Sequence, residues 1–219
     1  MNNIIKLIKG YAKTLTELLL FRRILWSYHH NTQHNQLALT FDDGPSGDNT
    51  VKILDTLLKL NIQASFFVTG NQALKHPEIL LRIHTDGHII GNHSITHLMP
   101  NKDGRIKYIK EIIENEKILS KIVPARKHKK LIRPPYGYLG LLPSIILVCL
   151  GYRIIMWSKD SNDSYTSTSD ELLSQIDKIT PVAGDILLFH DDYTHTSDAL
   201  HDIICRIERN GLTFSTLPL

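Results

Sequence analysis

From about residue 36 to the C-terminus, short β-rich runs alternate with longer helical patterns, and this alternation constrains the fold more than any other feature of the chain. Leu37–Phe41, Ala64–Thr69, His88–Gly91, Leu131–Arg133, Arg153–Trp157, Asp185–His190 and Thr213–Leu217 read as strands. Asn49–Lys59, His76–Thr85, Tyr108–Ile122, Leu142–Leu150, Ser169–Ile179 and Ser197–Arg209 read as helices. Parallel neighbours need a crossover of a dozen or more residues, usually a helix, so the pattern predicts an α/β fold with a parallel sheet, either a barrel or a doubly wound sheet. With 219 residues, 42% apolar and 21% charged, the chain has material for a sizeable core. That composition excludes a disordered tail and a disulfide miniprotein. No internal repeat, low-complexity tract or long linker divides it, and one domain over 36–219 is the economical reading.

Residues 1–35 differ in character. Up to residue 30, Lys6, Lys9, Lys13, Arg22 and Arg23 face the single acid Glu17, and Ile4, Ile8, Tyr11, Leu15 and Leu18 or Leu19 recur at the spacing of one helix face. The segment reads as an amphipathic helix and linker: packed on the domain, or resting on an anionic membrane through residues 1–30. Charges interrupt it too often for a spanning helix. No uninterrupted apolar stretch precedes a small-residue cleavage site. The expected location is the cytoplasm or the cytoplasmic face of the membrane. The overall charge of +3 is too small to argue for nucleic acid as a partner. A second basic run, Arg126–Lys130, reads as a solvated loop or an anion contact.

The chain has 12 histidines and only two cysteines, Cys149 and Cys205, so any metal site would be built from imidazole and carboxylate. The chemically capable residues collect just past predicted strand ends, where parallel α/β folds carry function. Asp42 and Asp43 precede Gly44-Pro45, a polar turn that frees two adjacent acids from pointing to opposite faces. His93 and His97, read as lying on one helical turn, could reach one cation together; with a carboxylate they form a facial set that leaves positions open for water and substrate. Arg133 follows an apolar strand and is held by two prolines, placed to grip a carboxylate and keep it ionised. His190 ends an apolar strand and, with a free carboxylate to pair with, is a candidate general acid.

In order and spacing, TFDDGPS, HSITH, RPPYG, WSKDSND and LLFHD resemble the five motifs of the polysaccharide deacetylases, carbohydrate esterase family 4 or the NodB-type homology domain. The resemblance implies a distorted (β/α) barrel, usually of seven strands. It implies that Asp43, His93 and His97 hold a divalent metal, most often zinc, with cobalt, manganese or nickel serving in relatives. Asp42 would be the general base, Arg133 would orient it, and His190 would be the acid that protonates the departing amine. Asp163 would pair with His190, with Asp160 as the alternative. A backbone N–H at Tyr136 would support the oxyanion, and Leu188 would line the acetyl-methyl pocket.

The implied reaction is hydrolysis of a linear amide C–N bond, releasing acetate from an N-acetylated amino sugar of an oligosaccharide, polysaccharide or glycolipid. That chemistry requires a Lewis acid, an activated water and a proton donor together, because an acetamide is a poor electrophile and an amine a poor leaving group. One departure stands out: where the fourth motif normally ends in Asp-Trp, this chain has Asp163-Ser164, which removes an aromatic wall from the groove. Two other function classes compete: an O-acetyl esterase or non-sugar amidase on the same fold, and an inactive carbohydrate-binding relative. The sequence leaves the oligomeric state open.

Overall fold

A computed structural model describes residues 23–27, 35–99, 104–126, 130–138 and 140–218. The strands are β1 (Ile24–Leu25), β2 (Gln36–Asp42), β3 (Ser65–Val68), β4 (Ile89–Asn92), β5 (Leu131–Ile132), β6 (Arg153–Ile155), β7 (Lys159–Asp160), β8 (Ile186–His190) and β9 (Thr213–Phe214). The helices are α1 (Asp48–Lys59), α2 (Gly70–Lys75), α3 (Pro77–Thr85), α4 (Arg105–Ile122), α5 (Leu141–Cys149), α6 (Ser169–Ile179) and α7 (Thr194–Arg209). The sheet runs β1-β6-β5-β4-β3-β2-β8-β7, and β9 pairs with the start of β2. Every pairing is parallel. The result is an open, distorted (β/α) barrel whose edges, among the described residues, are the two-residue strands β1 and β7.

Those two strands and α2 are the elements the sequence pattern does not reveal. The other seven strands fall on the predicted runs. The amphipathic helix and its membrane contact were read over residues 1–30, of which only 23–27 are described, the rest lying outside the described residues; within 23–27, Ile24–Leu25 form β1, paired with β6, in place of helix. Among the described residues no helix is long and apolar enough to cross a membrane. The basic run resolves partly: Arg126 is buried and ion-paired to Glu116, and Lys130 Nζ donates to the Leu150 carbonyl at 2.7 Å, so neither end is simply solvated.

Alternation along the strands sorts side chains into two layers. In β2, Leu37, Leu39 and Phe41 join the cluster under the helices, whereas Ala38 belongs to a separate cluster inside the barrel. In β8, Leu187 and Phe189 face the helices and Ile186 the interior. Phe41 stacks on Phe66 with ring centroids 5.1 Å apart and meets Phe189 at 5.9 Å, tying the three central strands to one helix-facing layer. The same alternation turns Thr40, Asp42, Leu188 and His190 inward. Interior space is tight: a Cβ at Gly91 would lie 2.4 Å from the Phe67 ring, so glycine is required for that approach. Phe189→Ala is expected to cost about 3–5 kcal/mol of stability by transfer and cavity formation, read as a fall in the urea midpoint at unchanged m-value.

Candidate active site

The site sits where β2 and β8 end. Asp42 and His190 are register partners at the carboxyl ends of these strands, so the pairing itself sets a carboxylate beside an imidazole. Arg133, fully buried, enters the barrel from the end of β5. Its Nη1 donates to Asp42 Oδ1 at 2.7 Å and to Thr40 Oγ1 at 2.8 Å, its Nη2 to the Met156 carbonyl at 2.9 Å, and its Nε to the Ile155 carbonyl at 3.3 Å. Phe67 lies under the guanidinium, 4.3 Å from ring centroid to Cζ. Burial lowers the guanidinium's pKa, and the Asp42 charge with its hydrogen bond opposes that shift. A buried cation is tolerated only when paired and hydrogen-bonded, and here both conditions hold.

Asp43, His93 and His97 each present one ligand atom, all within 4.8 Å of one another. Asp43 Oδ1 lies 3.5 Å from His93 Nε2 and 3.4 Å from His97 Nε2, and it is buried without a hydrogen-bond partner. His93 Nδ1 donates to the Arg133 carbonyl at 2.7 Å; a carbonyl only accepts, so Nε2 carries the free lone pair. Burial lowers the pKa of both histidines, which favours the neutral, ligating form. The orphaned oxygen and the two imidazole lone pairs fit a divalent cation.

The spacing of His93 and His97 arises differently from the helical turn that i and i+4 suggests. Residues 93–97 form an irregular loop, with left-handed φ of 63° at Ser94 and 55° at His97. The loop is shaped from outside. Asn115 Nδ2, from α4, donates to the carbonyls of Ser94 (2.7 Å) and Val68 (3.0 Å) and to Asn92 Oδ1 (3.0 Å), which also accepts the Ser94 N–H at 2.9 Å. The first amides of α2, Gly70 and Asn71, donate to the Ser94 and Ile95 carbonyls at 2.9 and 3.2 Å. Thr96 is held by Glu111, its N–H and hydroxyl donating at 2.9–3.0 Å.

On the opposite side, His190 Nδ1 meets Asp163 Oδ1 at 2.7 Å, and the His190 backbone N–H donates to Asp163 Oδ2 at 2.7 Å. Thr196 Oγ1 donates to the same Oδ2 at 3.0 Å. Asp163 is fully buried at the start of a 3-10 turn, 163–165, that follows left-handed Asn162. Asp160 is the carboxylate not used by His190; its Oδ1 accepts the Asn162 N–H at 2.8 Å and closes the turn that delivers Asp163. Burial alone would lower the His190 pKa, but the Asp163 hydrogen bond and charge, with Asp42 and Asp43 behind them, raise it to about 9.

Asp42, Asp43, His93, His97 and His190 border one cleft of about 450 Å³, together with Leu188, Tyr136, Trp157, Tyr165 and Tyr193. Tyr136 takes a left-handed φ of 56° and lays its ring beside His97 at a centroid distance of 4.3 Å. Ser164 lies on the cleft without a ring, and its neighbour Tyr165 is 85% exposed there. Thr40, Asn92, Asn115 and Thr196 complete the site from behind, none of them assigned a role from the sequence. Thr40 opens the first motif and Asn92 adjoins the second, and their inward strand positions are the only sequence signal for a role; Asn115 sits mid-helix, where nothing local marks it.

Comparison with known proteins was consistent in direction. The polysaccharide deacetylase family model matches residues 29–154. A peptidoglycan-N-acetylglucosamine deacetylase of Bacillus cereus is 35% identical over 187 residues, covering 84% of this chain and 67% of the relative. The peptidoglycan-N-acetylmuramic acid deacetylase PdaC of Bacillus subtilis is 32% identical over 83% of this chain, which spans only 38% of PdaC. The crystal structure of the Bc1960 peptidoglycan N-acetylglucosamine deacetylase superposes with a TM-score of 0.81 at 33% identity, covering 90% of this chain and 91% of that one.

The raised pKa of His190 gives a pH signature. Its protonated pair with Asp163 contributes stability fully present below the ordinary value of 6.5 and lost as pH rises through about 9. In Asp163→Asn the burial effect is left with less opposition, so the His190 pKa is expected to fall below 6.5, read from the imidazole resonances in an NMR titration. A value still near 9 in that variant would assign the shift to another cause.

Proposed function

The chain belongs to the polysaccharide deacetylase family, a family of hydrolases of N-acetyl amide bonds, and from that premise we propose that it removes the N-acetyl group from an amino sugar of peptidoglycan, with N-acetylglucosamine as the substrate residue. The observation that carries this reading is the pair of oriented groups facing one cleft: Asp42 fixed by Arg133, and His190 fixed by Asp163, on either side of Asp43, His93 and His97. The relatives named for N-acetylglucosamine and N-acetylmuramic acid supply the substrate class.

Arg133 occupies Asp42 Oδ1 and orients the carboxylate, leaving Oδ2 to accept a proton from the attacking water. A divalent cation held by Asp43, His93 and His97, zinc in the first instance, would polarise the acetamide carbonyl and lower the pKa of that water. The water oxygen bonds to the carbonyl carbon, and the C–N bond then breaks. His190 is protonated up to about pH 9 and engages Asp163 through Nδ1, so its Nε2 proton goes to the departing amine. The Tyr136 backbone N–H supports the oxyanion and Leu188 accommodates the acetyl methyl. Tyr165 and Tyr193 supply sugar-stacking surface where Ser164 offers none. The oriented acid favours an amide over an ester, because an amine must be protonated to leave and an alkoxide leaves more readily. Retention of both base and acid argues against an inactive binder.

The test is acetate release from peptidoglycan fragments and chitooligosaccharides, before and after chelation. Asp42→Asn and His190→Ala are each expected to lose at least about a hundredfold in kcat while keeping bound metal, since a general base or acid contributes about that much or more. His93→Ala is expected to lose the metal itself, measured as metal per chain. Normal turnover in any of the three would overturn the assignment. Tyr165→Ala is expected to raise KM for oligosaccharides with little change in kcat, as loss of uniform binding does.

A further inference from the structure

One buried carboxyl has no part in the chemistry above. Asp191 follows the acid His190, is 1% exposed, and has no cationic partner among the described residues. Its Oδ2 accepts from Thr50 Oγ1 at 2.7 Å, and Thr50 Oγ1 in turn accepts the Ser46 N–H at 2.6 Å. Its Oδ1 has no hydrogen-bond partner. Its backbone N–H donates to the Asp42 carbonyl at 3.3 Å. The carboxyl also lies directly against Gly44, where an added Cβ would fall 1.9 Å from Oδ2 and 2.2 Å from Oδ1. One residue therefore touches the chain at Asp42, at Gly44 and, through Thr50, at Ser46. Between those contacts lies Asp43, held at a left-handed φ of 77°.

A strained backbone residue persists only when its surroundings over-determine it, and an uncompensated buried carboxyl costs free energy that an alanine or valine would not. Filling space would not require an acid here. We propose that Asp191 is a positioning residue: it clamps the turn from Asp42 to Ser46 so that the Asp43 carboxylate is aimed at His93 and His97. This rests on the reading that those three residues hold a divalent cation. Burial raises the Asp191 pKa to about 8, so asparagine is the closest mimic of the neutral group.

The experiment is zinc affinity per folded chain, measured by competition with a chromogenic chelator and accompanied by circular dichroism, for the parent, Asp191→Ala, Asp191→Asn, Gly44→Ala and the Gly44→Ala/Asp191→Ala double variant. Asp191→Ala is expected to weaken zinc by at least about tenfold with unchanged secondary structure, and Asp191→Asn to restore it to within about threefold of the parent. Gly44→Ala is expected to weaken zinc through the collision with Asp191, since Gly44 itself does not need a left-handed φ. The double variant is expected to bind better than Gly44→Ala, because the obstructing carboxyl is gone. Parent-like zinc affinity in Asp191→Ala, or equal losses in the Ala and Asn variants, would overturn the proposal alone. If Asp191→Ala does not fold, a double variant no better than Gly44→Ala overturns it. A parent chain that binds no zinc overturns the metal reading, and the proposal with it.

Discussion

The pairing of Arg133 with Asp42 inside the barrel is the interaction on which the rest of the site depends. A guanidinium with no solvent exposure has to find its partners within the protein, and it does so by bonding to Asp42 and Thr40 on β2 and to the Ile155 and Met156 carbonyls at the end of β6. Those contacts join two strands that are not neighbours in the sheet. The ion pair thus carries structural weight as well as orienting a carboxylate that borders the cleft. Removing either member would leave an uncompensated buried charge, a loss of about 3–5 kcal/mol in comparable pairs. Aromatic faces around the guanidinium, Phe67 at 4.3 Å and Trp157 at 5.6 Å, keep water out while attracting the cation.

Strand pairing supplies the second constraint. Because side chains alternate with period two, the register that places Asp42 beside His190 also decides that both face the barrel axis. A slip of one residue would send both toward the helices. The phenylalanine layer beneath the helices, Phe41, Phe66 and Phe189, opposes such a slip, since it would carry large apolar rings into the polar interior. Core packing and site assembly are two readings of one register.

Six of the helices were legible because their period of 3.6 extends over enough residues, and seven of the strands, some only two or three residues long, because β-rich runs bounded by turn residues mark them. The members of the site were legible because each lies in a short motif at a strand end. Geometry between motifs was less so. His93 and His97 suggested a helical turn by spacing alone, yet their juxtaposition comes from two left-handed residues stabilised by Asn115, which is distant in sequence. Local pattern cannot announce a shape imposed by a side chain from another helix. The choice between Asp160 and Asp163 was open for the same reason. Asp160 ends β7 and Asp163 lies three residues on, past the left-handed turn at Asn162, and that turn determines which one reaches His190.

Arg133 acts on the site through two different parts of itself. Its guanidinium fixes Asp42, while its main-chain carbonyl fixes the tautomer of His93. The second contact is made by the peptide and is indifferent to which side chain the residue carries. Substitution at this position therefore has an asymmetric outcome: the His93 imidazole keeps its orienting contact while the Asp42 carboxylate loses its anchor.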